Sequence, residues 1–172
     1  MTLVMGIDPS ISGTGVAHVN GDLDTIKTTP KQGDGERLLI IYRTLRDYVW
    51  TSGTDRPLRM PKLAVIEDLP ANAMSAGITG RSQGIVRLVL TQFKVPYVAI
   101  PPATLKKFAT GKGNAKKDAM REAWLAYSGE DNKDDNQVDA AWLRTIGLHL
   151  KGEDVNLPTE QLAAVDAYRL QE

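Results

Sequence analysis

Two carboxylates that follow apolar segments are the residues of this sequence best placed to do chemistry. Asp8 ends the apolar run 3–7, and Glu67 ends the apolar run 63–66. If both runs are neighbouring strands of a largely parallel sheet, the two acids converge beyond the strands' carboxyl ends, where such sheets bind ligands. A single acid after a strand is more often a turn residue or a helix cap. Two acids at the same structural position favour a shared site.

A third source of oxygen ligands lies at the start of a predicted helix. Asp135 and Asp139 are spaced i, i+4, and Asn136 and Asp139 are spaced i, i+3, so either pair shares one helical face. Oxygen clusters without His or Cys suit hard cations, above all Mg²⁺ or Mn²⁺. Two such ions about 3.5–4 Å apart can activate a water and stabilise the leaving oxygen in phosphodiester cleavage. The acidic run 130–135 is otherwise typical of a solvated loop.

The composition limits the other kinds of chemistry. The 172 residues predict one domain, at a typical size of about 100–200 residues per domain. Lys plus Arg and Asp plus Glu both number 21, so any nucleic-acid contact must come from a local patch. The absence of Cys excludes thiol nucleophiles, thiolate zinc sites and disulfides. No apolar run approaches the roughly 20 residues of a membrane span, and no secretory signal is seen, so we expect a soluble cytoplasmic protein without a membrane partner.

Hydrophobic periodicity predicts the elements that would position the acids. Three short β segments open the chain as an antiparallel meander, and from residue 34 the apolar spacing becomes helical. Together the elements predict an α/β domain with a mixed five-stranded sheet flanked by helices. The predicted strands are 3–8, 13–19, 24–29, 63–66 and 95–100, and the predicted helices are a four-turn helix from 34, then 75–94, 104–110, 114–127, 135–150 and 158–170.

Three motifs, in order along the chain, resemble the RuvC family of Holliday junction resolvases. They are GIDPS with GTG (6–15), AVIE (64–67) and NQVDA (136–140). The similarity extends from residue 3 to about residue 150. The first motif also occurs in actin-like ATPases and sugar kinases, but the ordered trio is specific.

A basic segment between the second and third motifs strengthens the resemblance. Residues 103–121 contain six cationic side chains and one acid, Asp118, and the family lays such a segment against DNA near its active site. A local basic cluster attracts phosphates, although it is also typical of a solvated helix face. The predicted DNA-binding residues are Lys106, Lys107, Lys112, Lys116, Lys117 and Arg121.

The resemblance implies an RNase H-like fold, a homodimer and cleavage of four-way and other branched DNA. It implies Mg²⁺, with Mn²⁺ as a substitute and two ions per site. By position, Asp8, Glu67 and Asp139 match the metal-binding acids, Lys117 matches a lysine near the scissile phosphate, and Lys106 matches a second DNA-contacting lysine. Residues 1–155 would form the nuclease domain, and residues 156–172 a C-terminal helix or tail of the same domain.

The chain departs from the family pattern at two places. The family has an acid or His where this chain has Asn136, so the fourth metal ligand and catalytic group would be Asp135, or Asn136 would bind as a neutral ligand. The stretch 68–70 (Asp-Leu-Pro) lacks the aromatic residue that bacterial members carry after Glu67. This resembles phage-borne members that act on varied branched DNA, which would place the protein in the host cytoplasm.

The helix 75–94 is the predicted dimer interface, although the alternative is that this face covers the sheet, and part of it must do so. Its glycines permit close approach, and its apolar side chains supply buried area; these residues are Gly77, Gly80, Gly84, Ile85, Leu88 and Val89.

Two other functions remain open on the sequence. One is a lobe of an actin-like ATPase or kinase, although Gly111-Lys112-Gly113 lacks the spacing of a Walker loop and no nucleotide cofactor is expected. The other is a catalytically silent branched-DNA-binding protein.

Overall fold

A mixed five-stranded sheet forms the centre of the protein. The computed structural model describes residues 2–51, 60–69 and 76–169. β1, β2 and β3 form an antiparallel meander, whereas β4 and β5 run parallel to β1, in the spatial order β3-β2-β1-β4-β5. The predicted mixed sheet is therefore confirmed. The strands are β1 (Val4–Asp8), β2 (Gly13–Ala17), β3 (Leu23–Lys27), β4 (Leu63–Glu67) and β5 (Tyr97–Ile100).

Helices cover both faces of the sheet. α1 and α2 pack together on one face, and α5 crosses β1, β2 and β4 on the other face, with α3 and α4 beside it. The helices are α1 (Asp34–Thr51), α2 (Ala76–Gln92), α3 (Pro102–Thr110), α4 (Lys117–Ser128), α5 (Asp135–Leu150) and α6 (Thr159–Leu162), followed by a 3₁₀ turn at Asp166–Tyr168. Among the helices of these ranges, none has the length and apolar character needed to cross a bilayer.

Side-chain alternation along the strands divides the core into two layers. Val4, Leu63 and Val65 pack toward α5, while Met5 and Ile66 pack toward α1 and α2. This is the period of two expected for strands that are covered on both faces. The same alternation determines the face of the sheet to which the last side chain of each strand points.

Two helix starts differ from the prediction. α3 begins at Pro102, because a proline is well suited to the first turn of a helix, where its missing N–H is not needed. α4 begins at Lys117, three residues later than predicted, because Ala115 closes a turn on the carbonyl of Lys112 and Lys116 is extended. Most of the predicted loop 51–61, the position of Pro70 and the predicted start of the second helix at Ser75 lie outside the described residues.

The single C-terminal helix predicted at 158–170 is wrong. The chain instead makes the short α6 and the 3₁₀ turn, with Val165 fully buried in the same core layer as α5. Burying Val165 takes the backbone out of the helix, and Asp166 then accepts hydrogen bonds from Arg169 and His149. The segment after α5 is thereby packed against the core.

Candidate active site

Parallel pairing of β1 with β4 brings two carboxyl groups to one edge of the sheet. Ile7 is in register with Ile66, so the strands end side by side at Asp8 and Glu67. Alternation directs both acidic side chains to the face covered by α5, because Ile7 and Ile66 point to the opposite face. Asp8 is only 7% exposed. The convergence expected from the sequence therefore depends on this register.

Close approach of α5 adds a third carboxyl group. A Cβ at Gly6 would lie 2.0 Å from the carbonyl oxygen of Ala140, and one at Gly15 would lie 2.0 Å from that of Asn136. Only glycine fits at either position, so the backbone of α5 rests directly on β1 and β2. Asp139 thereby comes close enough to Asp8 and Glu67 to raise the pKa of both carboxyls.

The three acids perturb one another strongly. Burial raises the pKa of Asp8 well above its usual range, and the charges of Glu67 and Asp139 raise it further. Burial and the charge of Asp139 raise the pKa of Glu67 to about 7. Burial and the charge of Asp135 raise the pKa of Asp139 to about 6. Carboxyl groups crowded in this way stabilise bound positive charge, and perturbed pKa values of this kind are typical of functional sites.

Two of the predicted lysines lie beside this cluster. The charge of Lys106 lowers the pKa of Glu67 and Asp139, and the charge of Lys117 lowers the pKa of Asp8 and Asp139. The ammonium Nζ of Lys117 is 2.8 Å from Oδ2 of Asp135, and the lysine side chain is largely exposed. Lys117 is therefore an exposed cation held at the rim of the carboxyl cluster.

The two candidates for the fourth ligand are both engaged by protein groups. Asp135 pairs with Lys117. With its amide nitrogen toward the cluster, Asn136 donates to Oδ2 of Asp8 at 3.3 Å and to the carbonyl oxygen of Gly13 at 3.2 Å. Asn136 thus restrains Asp8 in this arrangement, and the identity of the fourth ligand stays a prediction.

The donor set of the cluster fits a hard divalent cation. Its ligands are carboxylate oxygens, and their mutual repulsion is relieved by a cation. No three acidic or histidine side chains in the described ranges are spaced to chelate one ion as they stand. Asp8, Glu67 and Asp139, which shift one another's pKa values, are the groups that would hold it.

Curated relatives identify the family of the chain. A crossover junction endodeoxyribonuclease RuvC from Parasynechococcus marenigrum is 35% identical over 129 residues, which cover 70% of this chain and 79% of the relative. A RuvC from a Synechococcus strain is 33% identical over the same length and coverage. The chain belongs to the RuvC family. No protein-family model matches it.

Solved RuvC structures have the same fold as this chain. Thermus thermophilus RuvC in complex with a Holliday junction substrate aligns with a TM-score of 0.66 at 23% identity, covering 84% of this chain and 91% of that one. A second Thermus thermophilus RuvC structure aligns with a TM-score of 0.64. The predicted RNase H-like α/β fold of the RuvC family is therefore confirmed.

The other predicted DNA-binding residues of this RuvC-family chain do not perturb the acids. Lys107, Lys112 and Lys116 are exposed and are not among the charges that shift the pKa values of the cluster. Arg121 forms two hydrogen bonds of 2.6 Å with Asp131. Lys107 lies on α3, Lys112 and Lys116 lie between α3 and α4, and Arg121 lies on α4, so none of the four belongs to the carboxyl cluster.

One residue at the site has no signal in the sequence pattern. Gln83, buried on α2, donates from Nε2 to the backbone carbonyl of Glu67 at 2.7 Å. It fixes the end of β4 from the face opposite α5. Its helix was predicted, but a buried polar residue among apolar ones does not reveal which backbone group it binds.

Proposed function

We propose that this protein is a metal-dependent, structure-selective endonuclease that resolves Holliday junctions and cleaves other branched DNA. The observation that carries the proposal is the convergence of Asp8, Glu67 and Asp139 at one sheet edge, in a chain whose relatives are named crossover junction endodeoxyribonuclease. The junction bound to Thermus thermophilus RuvC supports the substrate class.

The carboxyl cluster would hold Mg²⁺, with Mn²⁺ as a substitute and two ions per site. When bound, the ions supply a Lewis acid and a lowered pKa for an attacking water. The chain's own groups do the rest. Asp8, Glu67 and Asp139 would hold the ions at the sheet edge, and Asn136 restrains Asp8. Lys117 releases Asp135 and donates to a phosphate oxygen, where its charge stabilises the negative charge that develops during cleavage.

A homodimer fits the symmetry of the substrate. Nicking two opposed strands of a two-fold symmetric junction takes two active sites related by that symmetry. On α2, Leu88 is 54% exposed, and a Cβ at Gly77 or Gly84 would meet nothing within 4 Å. This face of α2 is the proposed interface. Val89 was expected to contribute, but it is fully buried against the sheet and offers no area to a partner.

Branch geometry, more than base sequence, would govern substrate choice. The support is the absence of an aromatic residue in the stretch 68–70, since aromatic side chains are what stack on unpaired bases. Pro70 lies outside the described residues. We also infer that the protein acts on DNA in the cytoplasm, which is the host cytoplasm if the protein is phage-encoded.

A synthetic four-way junction tests the proposed function. We expect the wild type with Mg²⁺ to give paired nicks near the crossover on a denaturing gel and to leave linear duplex intact. Asp139→Asn should lose at least about 100-fold in cleavage rate, because the charge that holds the metal is removed, and should still bind the junction in a gel shift. Full cleavage by Asp139→Asn would contradict the assignment. An ATP-binding signal in calorimetry with no cleavage would favour the ATPase lobe.

A further inference from the structure

A buried arginine supports the turn between β1 and β2. Arg37, in the first turns of α1, is 8% exposed. Its Nε donates to Oγ1 of Thr28 at 2.9 Å, and its Nη2 donates to Oγ of Ser12 at 3.0 Å. Both partners are neutral hydroxyls. Within the ranges that the structure describes, no carboxylate forms an ion pair with Arg37.

A buried cation without a counter-charge is costly unless an anion completes it. The nearest acids in the sequence do not fill this role, because Asp34 pairs with Arg81 at 2.6 Å and Glu36 is exposed. The guanidinium has five N–H donors, and the two hydroxyls accept only two of them. Within the described ranges, the charge of Arg37 therefore has no protein counter-ion and can be balanced by an external anion.

Ser12 connects this buried charge to the surface. Ser12 is exposed, and its Oγ accepts a hydrogen bond from Arg37. The hydroxyl hydrogen of Ser12 can therefore be donated to another acceptor. A hydroxyl that accepts from a cation is a stronger donor, because linked hydrogen bonds polarise one another. Thr28 cannot act in the same way, since its hydroxyl donates to the backbone carbonyl of Ile11. Of the two hydroxyls bonded to Arg37, that of Ser12 is therefore the one that can donate to an external group.

Ser12 and Arg37 lie at the same edge of the sheet as the acids, but Arg37 approaches from the opposite face. Ser12 is four residues after Asp8, just before β2 begins, and Thr28 follows the last residue of β3. Arg37 approaches from α1, whereas Lys106 and Lys117 approach from the α5 face. Lys27, an exposed residue in register with Gly13, adds positive charge to this edge of the sheet. A DNA strand leaving the acids over this edge would pass Ser12.

We propose that Ser12, backed by Arg37, binds a backbone phosphate of the branched DNA at a site separate from the scissile phosphate. The inference rests on the proposed function for its ligand, and it adds a second anchoring point on the α1 face. Phosphate contacts of this kind fix register and orientation on DNA without reading bases.

Equilibrium binding to a four-way junction in EDTA tests the site without cleavage. We expect Arg37→Gln to weaken binding about tenfold near 0.1 M salt and to reduce the slope of log K against log salt by about 0.9, as for one lost phosphate contact. Ser12→Ala should weaken binding about threefold to tenfold without loss of thermal stability, because Ser12 is exposed. Arg43→Gln is the matched control, since Arg43 is exposed on the same helix about 9 Å further along its axis.

Neutral methylphosphonate linkages, introduced one at a time, locate the phosphate. At one position away from the cleavage point, the neutral linkage should weaken junction binding by the wild type. The same linkage should leave junction binding by Ser12→Ala unchanged. The proposal is overturned if Ser12→Ala binds like the wild type, or if Arg37→Gln changes affinity and salt slope no more than Arg43→Gln. If either result is found while the wild type cleaves the junction normally, the proposed function stands. If the wild type does not cleave the junction, the proposed function is overturned instead.

Discussion

Asp8 illustrates the electrostatic cost of bringing three carboxyl groups together in the folded protein. It is buried beside two like charges, so its ionised form is unfavourable in the folded chain and acceptable in the unfolded one. The same holds for Glu67, with a pKa of about 7, and for Asp139, with a pKa of about 6. Between about pH 4 and pH 7 the folded state therefore binds more protons than the unfolded state, and stability falls as pH rises through this range.

Stability measurements with and without metal test this cost. In EDTA, we expect the free energy of unfolding to fall by a few kcal/mol from pH 5 to pH 8, following the linkage between pKa shifts and stability. Asp8→Asn should reduce that fall, because it removes the charge at the centre of the repulsion. Mg²⁺ should raise the melting temperature of the wild type more at pH 8 than at pH 5. Equal pH profiles for the wild type and Asp8→Asn would contradict the electrostatic account.

The fourth ligand is decided by comparing Asp135→Asn with Asn136→Ala. We expect Asp135→Asn to be the more damaging to cleavage, because it removes a charge next to Asp139, whereas Asn136→Ala removes a neutral amide. The Mg²⁺ concentration at half-maximal cleavage is the measurement, and a raised midpoint marks the ligand. Asp47→Asn, which removes an exposed acid on α1 far along the chain from the cluster, is the control. A larger shift for Asn136→Ala would reverse the assignment.

At the scale of elements, the site depends on how closely α5 lies against β1 and β2. We expect Gly15→Ala to destabilise the fold by about 1–3 kcal/mol or more, the usual cost of overpacking. The added methyl group meets the backbone carbonyl of Asn136, so α5 must move away and take Asp139 with it. Junction cleavage should therefore fall more than junction binding.

Gly35→Ala is the matched control for that substitution. Gly35 lies in α1, and a Cβ there would meet nothing within 4 Å. Replacing a helical glycine in open space is expected to stabilise the protein by about 0.4–1 kcal/mol. If Gly15→Ala cleaved the junction at the wild-type rate, α5 would not need to lie so close to the strands.

The elements were largely predictable because the signals that specify them are local. Uninterrupted apolar runs ending at Asp8 and Glu67 predict buried strands, and both were found within about one residue of the expected bounds. The C-terminal segment was not predictable, since its break at Val165 results from burial against a distant core. Helical spacing also cannot distinguish an interface residue from a core residue, which is why Val89 was misassigned.

The candidate site was predictable in its residue types and less so in its contacts. The three acids follow from strand ends and helical spacing. The hydrogen bonds that Asn136 donates to Asp8 and that Gln83 donates to the Glu67 carbonyl depend on tertiary geometry. Whether Lys117 faces Asp135 or open solvent is likewise decided by how α4 packs beside α5. Local sequence patterns carry no information on such side-chain pairs.

At the scale of the whole molecule, the carboxyl cluster and the proposed dimer interface lie on opposite faces of the sheet. The α5 face carries the acids and the basic segment, while the α1 and α2 face presents the exposed Leu88 beyond a buried core layer. A partner docked on α2 would leave the acidic edge of each protomer open to DNA. This separation makes it possible to disturb assembly without touching the carboxyl cluster.

Leu88→Lys is therefore expected to convert a dimer into a monomer. A charge placed at the centre of an apolar contact face loses both buried area and complementarity, whereas the same residue in a monomer is simply solvated. Light scattering at tens of micromolar measures the change. Leu125→Lys is the matched control, because Leu125 is 43% exposed but lies on α4, across the sheet. The Leu88→Lys monomer should keep its melting temperature and lose paired nicking of the two strands, while single nicks persist. A wild type that is monomeric under these conditions would contradict the interface, since the two active sites would then have no fixed relation to the symmetry of the junction.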